Sequence, residues 1–187
     1  MTAQFGPSAL NTPANVVTVG RLVLTVPLLA MIVDSGASWP AVTLWIALCV
    51  TDGIDGLLAR RQGVTRSGAF LDPLADKVLV LGAMIALVAN GTFWWVPVAI
   101  IAVRELGIQA FRSYWGKRGL AVPATGLAKA KTVFQELAVG FGLLPLTATD
   151  HTWVANSVLA VAVVLTVVSG VQYLGEGRRA ATALGSR

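Results

Sequence analysis

Apolar residues fall in long blocks rather than at the spacing of a surface helix with one polar face. The clearest block, Thr152–Leu174, carries no charge and exceeds the about 20 positions that a bilayer crossing requires. Five more blocks lie at Val16–Val33, Trp39–Ala59, Asp72–Ala89, Thr92–Phe111 and Thr132–Ala148. The pattern predicts an all-α integral membrane protein with six transmembrane helices, no soluble domain and no internal repeat. Two blocks need a closer look. Trp39–Thr51 and Val78–Ala89 are each too short to span alone. They become spans only if their helices continue through a cluster of aspartates.

Composition supports this reading. The 187 residues suit a single domain and are 56% hydrophobic and 12% charged. Soluble domains carry roughly 25% charged residues. Mean hydropathy is +0.74. The domain is expected to fill residues 1–187, with 1–12 as an interfacial segment and 175–187 as a solvated basic tail. No cleavable signal peptide is expected, because the first residues lack a basic stretch followed by an apolar run. The sole cysteine, Cys49, excludes an intrachain disulfide or a cysteine-cluster metal site.

Net charge is +5, a balance that can signal nucleic acid. The distribution gives a different reason. With both termini in the cytoplasm, the external loops lie near Asp34–Ser38, Asn90–Gly91 and Thr149–His151, and none contains Lys or Arg. All fourteen basic residues then fall on the cytoplasmic side, as the positive-inside rule requires. No nucleic-acid partner is needed. The expected location is the cytoplasmic membrane, crossed several times, with termini and polar site facing the cytoplasm. Trp39, Trp94, Trp95 and Trp153 fit an external interfacial belt.

The segment "DGIDGLLARRQGVTRSGAFLDPLADK", residues 52–77, holds four of the nine acidic residues. Asp52 and Asp55 are spaced i, i+3, and Asp72 and Asp76 i, i+4, so each pair shares a helix face. The pairs sit on the cytoplasmic ends of neighbouring helices, across a loop at 61–67. Acids at membrane depth are costly and mark functional sites. Four converging carboxylates need cations, and an oxygen-only set suits Mg²⁺, Mn²⁺ or Ca²⁺ rather than zinc. The sole histidine, His151, falls on the opposite side, which argues against a histidine-based triad or zinc site. Asp72 alone, followed by Pro73, also suits a helix start. A cation path through a transporter is the competing reading of the four acids.

The pattern Asp52-x2-Asp55-Gly56-x2-Ala59-Arg60-x7-Gly68-x3-Asp72-x3-Asp76 resembles the signature of the CDP-alcohol phosphatidyltransferases. The interval of seven between Arg60 and Gly68 is one shorter than the commoner length. The resemblance implies a six-helix enzyme, a homodimer, that displaces CMP from a CDP-linked lipid with an alcohol. It implies that Asp52, Asp55, Asp72 and Asp76 hold two divalent ions, Mg²⁺ or Mn²⁺, and that Asp76 also serves as general base. Gly56, Ala59, Arg60, Thr65 and Gly68 would bind CDP-diacylglycerol, with Asn15 and Thr18 reaching it from the first helix.

"NTPANVVTVGR", "VRELGIQAFRSYWGKRG", "GLAKAKTVFQ" and "LDPLADK" resemble the branch of that family that uses glycerol 3-phosphate. Phosphatidylglycerophosphate and CMP would be the products. Inositol phosphate or phosphatidylglycerol are the alternative acceptors. A phosphorylated acceptor needs cationic partners, for which Arg is geometrically suited. Arg21, Arg104, Arg112, Lys129 and Lys131 are the candidates, and Glu105 is expected to pair with one of them.

Overall fold

The computed structural model describes the backbone of residues 13–62, 68–116, 126–148 and 150–185, with their side chains except at 13–14, 54–72, 115–116, 128 and 178–185. The described residues form helices and no strand. In chain order these are α1 (Pro13–Ser35), α2 (Trp39–Gln62), α3 (Gly68–Ala89), α4 (Trp95–Gly116), α5 (Gly126–Leu143), the short α6 (Pro145–Ala148) and α7 (Thr152–Gly185).

Their neighbours define a ring. Helix α1 lies against α2 and α3, α2 against α5, α5 against α7, α7 against α4, and α4 against α3. Helix α3 also reaches α5 across the ring. Its central place follows from its sequence, which is apolar on nearly every side. Leu79, Val80, Ala83, Met84 and Leu87 are all buried there. Close packing shows at Gly142 of α5, where an added Cβ would lie 3.1 Å from Leu87 and 3.2 Å from Phe93.

The exterior is as apolar as the core, and several polar side chains are buried. Val16, Val23 and Val26 of α1, Val103 and Leu106 of α4, and Val164 and Val171 of α7 are each more than half exposed. Asn15, Thr18, Arg21, Thr25, Lys131 and Gln135 are buried. Lipid accepts such an apolar exterior, whereas contiguous apolar patches of this kind are rare on soluble monomers. The stretches Asn15–Ser35 and Thr152–Gly177 are long and apolar enough to cross a membrane. The described residues form the all-helical bundle of a membrane protein.

The connections α1–α2 and α3–α4 meet at one end. Gly36 (φ +64°) and Gly91 (φ +83°) adopt left-handed turns there. A Cβ on Gly36 would lie 2.8 Å from Asn90 Oδ1, so only glycine fits without rearrangement. Trp39, Trp94 and Trp95 are exposed beside these turns. The acids and cations of interest lie away from this end, along α2, α3, α4 and α5.

Several boundaries differ from the sequence reading. Helix α3 begins at Gly68, so Asp72 is not a helix cap and Pro73 sits within the helix. As the sixth helical residue it lies past the four N-terminal N–H groups that lack partners anyway, so it removes one i→i−4 bond. The block at 132–148 is not one helix. Helix α5 starts at Gly126, the chain breaks at Leu144, and Pro145 opens α6, where its fixed φ suits a first helical position. Helix α7 runs to Gly185 rather than ending at Leu174, because "RRAATAL" is rich in strong helix formers.

Candidate active site

Helix α1 presents a buried polar stripe to its neighbours. Asn15, Thr18, Arg21 and Thr25 recur at three- and four-residue steps, so they share one face. Thr25 Oγ1 donates to the Arg21 carbonyl at 2.8 Å. Arg21 reaches α2, where Nη1 donates to Asp52 Oδ1 in an ion pair. The arginine side chain is 1% exposed and the aspartate 42%, so the pair closes inward and leaves the carboxylate open outward.

Asp52 and Asp76 line one cavity of about 520 Å³. Lys77, Arg104, Arg112, Lys129 and Lys131 line the same cavity. Four of the five cations are on α4 and α5, and Lys77 follows Asp76 on α3. The site therefore places two carboxylates against a cationic wall, at a size suited to a small ligand. Gln109 and Tyr173 add an amide and a phenol to the lining. The Tyr173 ring is set edge-on to Phe111, with centroids 6.0 Å apart.

Glu105 organises the wall. Its Oε1 accepts from Arg104 Nη1 at 3.0 Å and from Lys131 Nζ, and its Oε2 accepts from Lys77 Nζ at 3.1 Å. Arg104 Nη2 donates to Ser169 Oγ of α7 at 3.0 Å. One turn further along α5, Gln135 Nε2 donates to Thr166 Oγ1 at 3.0 Å. These contacts join α3, α4, α5 and α7 around a charged core. Glu105 thus pairs with three cations, where the sequence predicts one.

A second, largely apolar groove of about 430 Å³ runs between α2 and α5, past Trp45, Cys49, Val50, Leu137 and Phe141, with Glu136 also in its lining. Val133 lines both this groove and the polar cavity. Cys49 lies one helical turn from Asp52, so the groove leads directly to the carboxylates.

The structure brings together Asp52, Asp76, Arg104, Arg112, Lys129 and Lys131. Arg21 joins them through Asp52. Asn15 and Thr18 lie on the same face of α1 as Arg21. Asp55, Gly56, Ala59 and Arg60 are on α2, and Gly68 and Asp72 on α3, but their side chains lie outside the described ones. Thr65 lies outside the described residues altogether. Sequence reasoning missed Lys77, Gln109 and Tyr173. Only Lys77 had a signal, as the residue following Asp76 within "LDPLADK".

Among the described residues, no three His, Cys, Asp or Glu side chains gather as a metal site. The donors that are described do suit a hard divalent ion. Asp52 and Asp76 offer carboxylate oxygens, and Asp52 already carries a cation in the form of the Arg21 guanidinium. Asp55 and Asp72 are the two further members expected of the set.

A profile of the family described as CDP-alcohol phosphatidyltransferase matches residues 11–168. The chain belongs to this family. The matched stretch holds every charged residue of the cavity, and Tyr173 lies beyond it. Relatives agree over nearly the whole length. A Mycobacterium tuberculosis protein named "Probable phosphatidylglycerophosphate synthase" is 40% identical over 181 residues, covering 93% of this chain and 85% of its own. The CDP-diacylglycerol–glycerol-3-phosphate 3-phosphatidyltransferases of Salmonella choleraesuis and Escherichia coli K12 are each 37% identical over 180 residues. Those matches cover 90% of this chain and 95% of theirs.

Proposed function

We propose that this chain transfers the phosphatidyl group of CDP-diacylglycerol to sn-glycerol 3-phosphate, giving phosphatidylglycerophosphate and CMP. The observation that carries this reading is the single cavity in which Asp52 and Asp76 face Lys77, Arg104 and Lys131. A phosphorylated acceptor needs the cations, and its hydroxyl needs the carboxylate.

The reaction forms one phosphorus–oxygen bond and breaks another. The acceptor hydroxyl attacks the phosphorus that bears the diacylglycerol, and CMP leaves with the bond's electron pair. Asp76 takes the hydroxyl proton as general base. Lys131 and Arg104 hold the acceptor's phosphate, with Arg112 and Lys129 at the exposed rim and Lys77 beside Asp76. Asp52, Asp55, Asp72 and Asp76 would hold two divalent ions, Mg²⁺ or Mn²⁺. Such ions neutralise the pyrophosphate and stabilise the departing phosphate. Arg21 pairs with Asp52 and holds it from behind. Asn15, Thr18, Gly56, Ala59, Arg60, Thr65 and Gly68 complete the nucleotide side. The apolar groove between α2 and α5 suits the acyl chains of a lipid whose headgroup lies in the polar cavity.

In the membrane this reading has six spans, both termini and the cavity on the cytoplasmic side, and a homodimeric assembly. The transporter alternative has no observation in its favour once the family is known. The acceptor is tested with purified protein, CDP-diacylglycerol and a panel of glycerol 3-phosphate, glycerol, inositol phosphate and phosphatidylglycerol. The expected product by mass is phosphatidylglycerophosphate. Preferential formation of another product would overturn the assignment.

A further inference from the structure

The transfer gives Glu105 no chemical step, yet it is a buried carboxylate at the centre of the cationic wall. Its two oxygens accept from Lys77 of α3, Arg104 of α4 and Lys131 of α5. Three cations converging this closely in a partly desolvated site repel one another strongly. A carboxylate among them removes much of that repulsion and fixes their spacing. Arg104 is further fixed by Ser169 of α7.

The charge that remains is informative. Three cations and one anion leave the cluster at plus two. A phosphomonoester near neutral pH is close to a dianion. A phosphodiester carries one negative charge and would leave the cluster one positive charge in excess. All four side chains line the cavity that contains Asp76. Both lysines direct one donor to Glu105, and an ammonium has three. The cations can therefore bind an anion without releasing the glutamate.

We propose that Glu105 is a specificity-determining positioning residue: a fixed counter-anion that spaces Lys77, Arg104 and Lys131 and matches their cluster to a phosphomonoester dianion. This rests on the acceptor reading above, and it adds how the site selects a monoester over a diester. It also predicts an unusual sign. Neutralising Glu105 tightens anion binding while impairing transfer, because the cluster gains charge and loses its spacing.

The test compares the parent, Glu105→Gln and Glu105→Asp, using inorganic phosphate as a competitive inhibitor against glycerol 3-phosphate. Glu105→Gln is expected to lower the phosphate inhibition constant by about tenfold and kcat by at least about tenfold. Its melting temperature should fall, and millimolar phosphate should restore it more than it raises the parent's. Glu105→Asp keeps the charge and should hold the inhibition constant within about threefold. Lys77→Met/Glu105→Gln removes one charge of each sign. It should return the inhibition constant to within about twofold of the parent, and it serves if the single variant does not accumulate. A purely structural glutamate gives the opposite pattern, with phosphate binding unchanged or weaker in Glu105→Gln. That outcome, or tenfold weaker phosphate binding in the double variant, overturns the proposal. If the parent does not consume glycerol 3-phosphate, the acceptor reading fails. The phosphate-dependent melting shift still decides the charge assignment.

Discussion

Lys131→Met should separate acceptor binding from every other property of the site. Lys131 is 6% exposed and donates to Glu105, so its ammonium is held in a desolvated wall. Methionine keeps most of the side-chain volume and removes the charge. A charge-assisted hydrogen bond is worth about 1.5–3 kcal/mol, and 1.4 kcal/mol is a decade in affinity. The apparent KM for glycerol 3-phosphate should therefore rise by roughly tenfold to a hundredfold. Folding should suffer less than in a typical broken buried pair, because Glu105 keeps Lys77 and Arg104. Arg112 and Lys129 line the same cavity but are exposed. Solvent-exposed charges contribute about 0.2–1 kcal/mol, so Arg112→Ala should raise that KM by less than about fivefold, and less again at high salt. The KM for CDP-diacylglycerol should change by less than about twofold in both variants, because the carboxylate side of the cavity is untouched. Steady-state kinetics with each substrate varied separately reads all of this. An unchanged glycerol 3-phosphate KM in Lys131→Met, or a larger effect from Arg112→Ala, would overturn the assignment of Lys131 to the acceptor's phosphate.

Three further outcomes follow from single contacts. Asp52→Asn removes the charge that the buried Arg21 guanidinium pairs with, so Arg21→Met should lower the melting temperature less in the Asp52→Asn background than in the parent, while Asp52→Asn lacks turnover in either background. Equal losses in the two backgrounds would contradict the pairing. Gly142→Val should destabilise the bundle by about 1–3 kcal/mol in reversible unfolding, since its Cβ meets Leu87 and Phe93. A neutral result would mean α3 and α5 are not in contact there. In a Cys49→Ala background, Asp150→Cys should react with an impermeant thiol reagent from outside the cell. Labelling from the cytoplasmic side alone would contradict the six-span threading.

The helices were legible because hydrophobic block length is a local property. Even so, α3 reaches back to Gly68 through Pro73, which a pattern reading takes as a start rather than an interior position. The break at Leu144 was missed because the block stays apolar through it. Asp52 and Asp76, one from each spaced pair, do line one cavity, while the side chains of Asp55 and Asp72 lie outside the described ones. The cationic wall was only half legible. Glu105 meets partners 28, 1 and 26 residues away, and helical periodicity does not say which helices are neighbours. Lys77 hid beside Asp76, and Tyr173 hid in a long apolar block, where one phenol among valines reads as packing.

We propose that this cavity joins a CDP-lipid to a phosphorylated acceptor using carboxylate-held divalent ions. The most direct test is CMP release by purified protein from CDP-diacylglycerol, with glycerol 3-phosphate present or absent and Mg²⁺ or Mn²⁺ present or chelated. CMP is expected only when acceptor and divalent ion are both present, with Asp76→Asn inactive under every condition. CMP release that persists in chelator, or that proceeds equally with unphosphorylated glycerol, would contradict it.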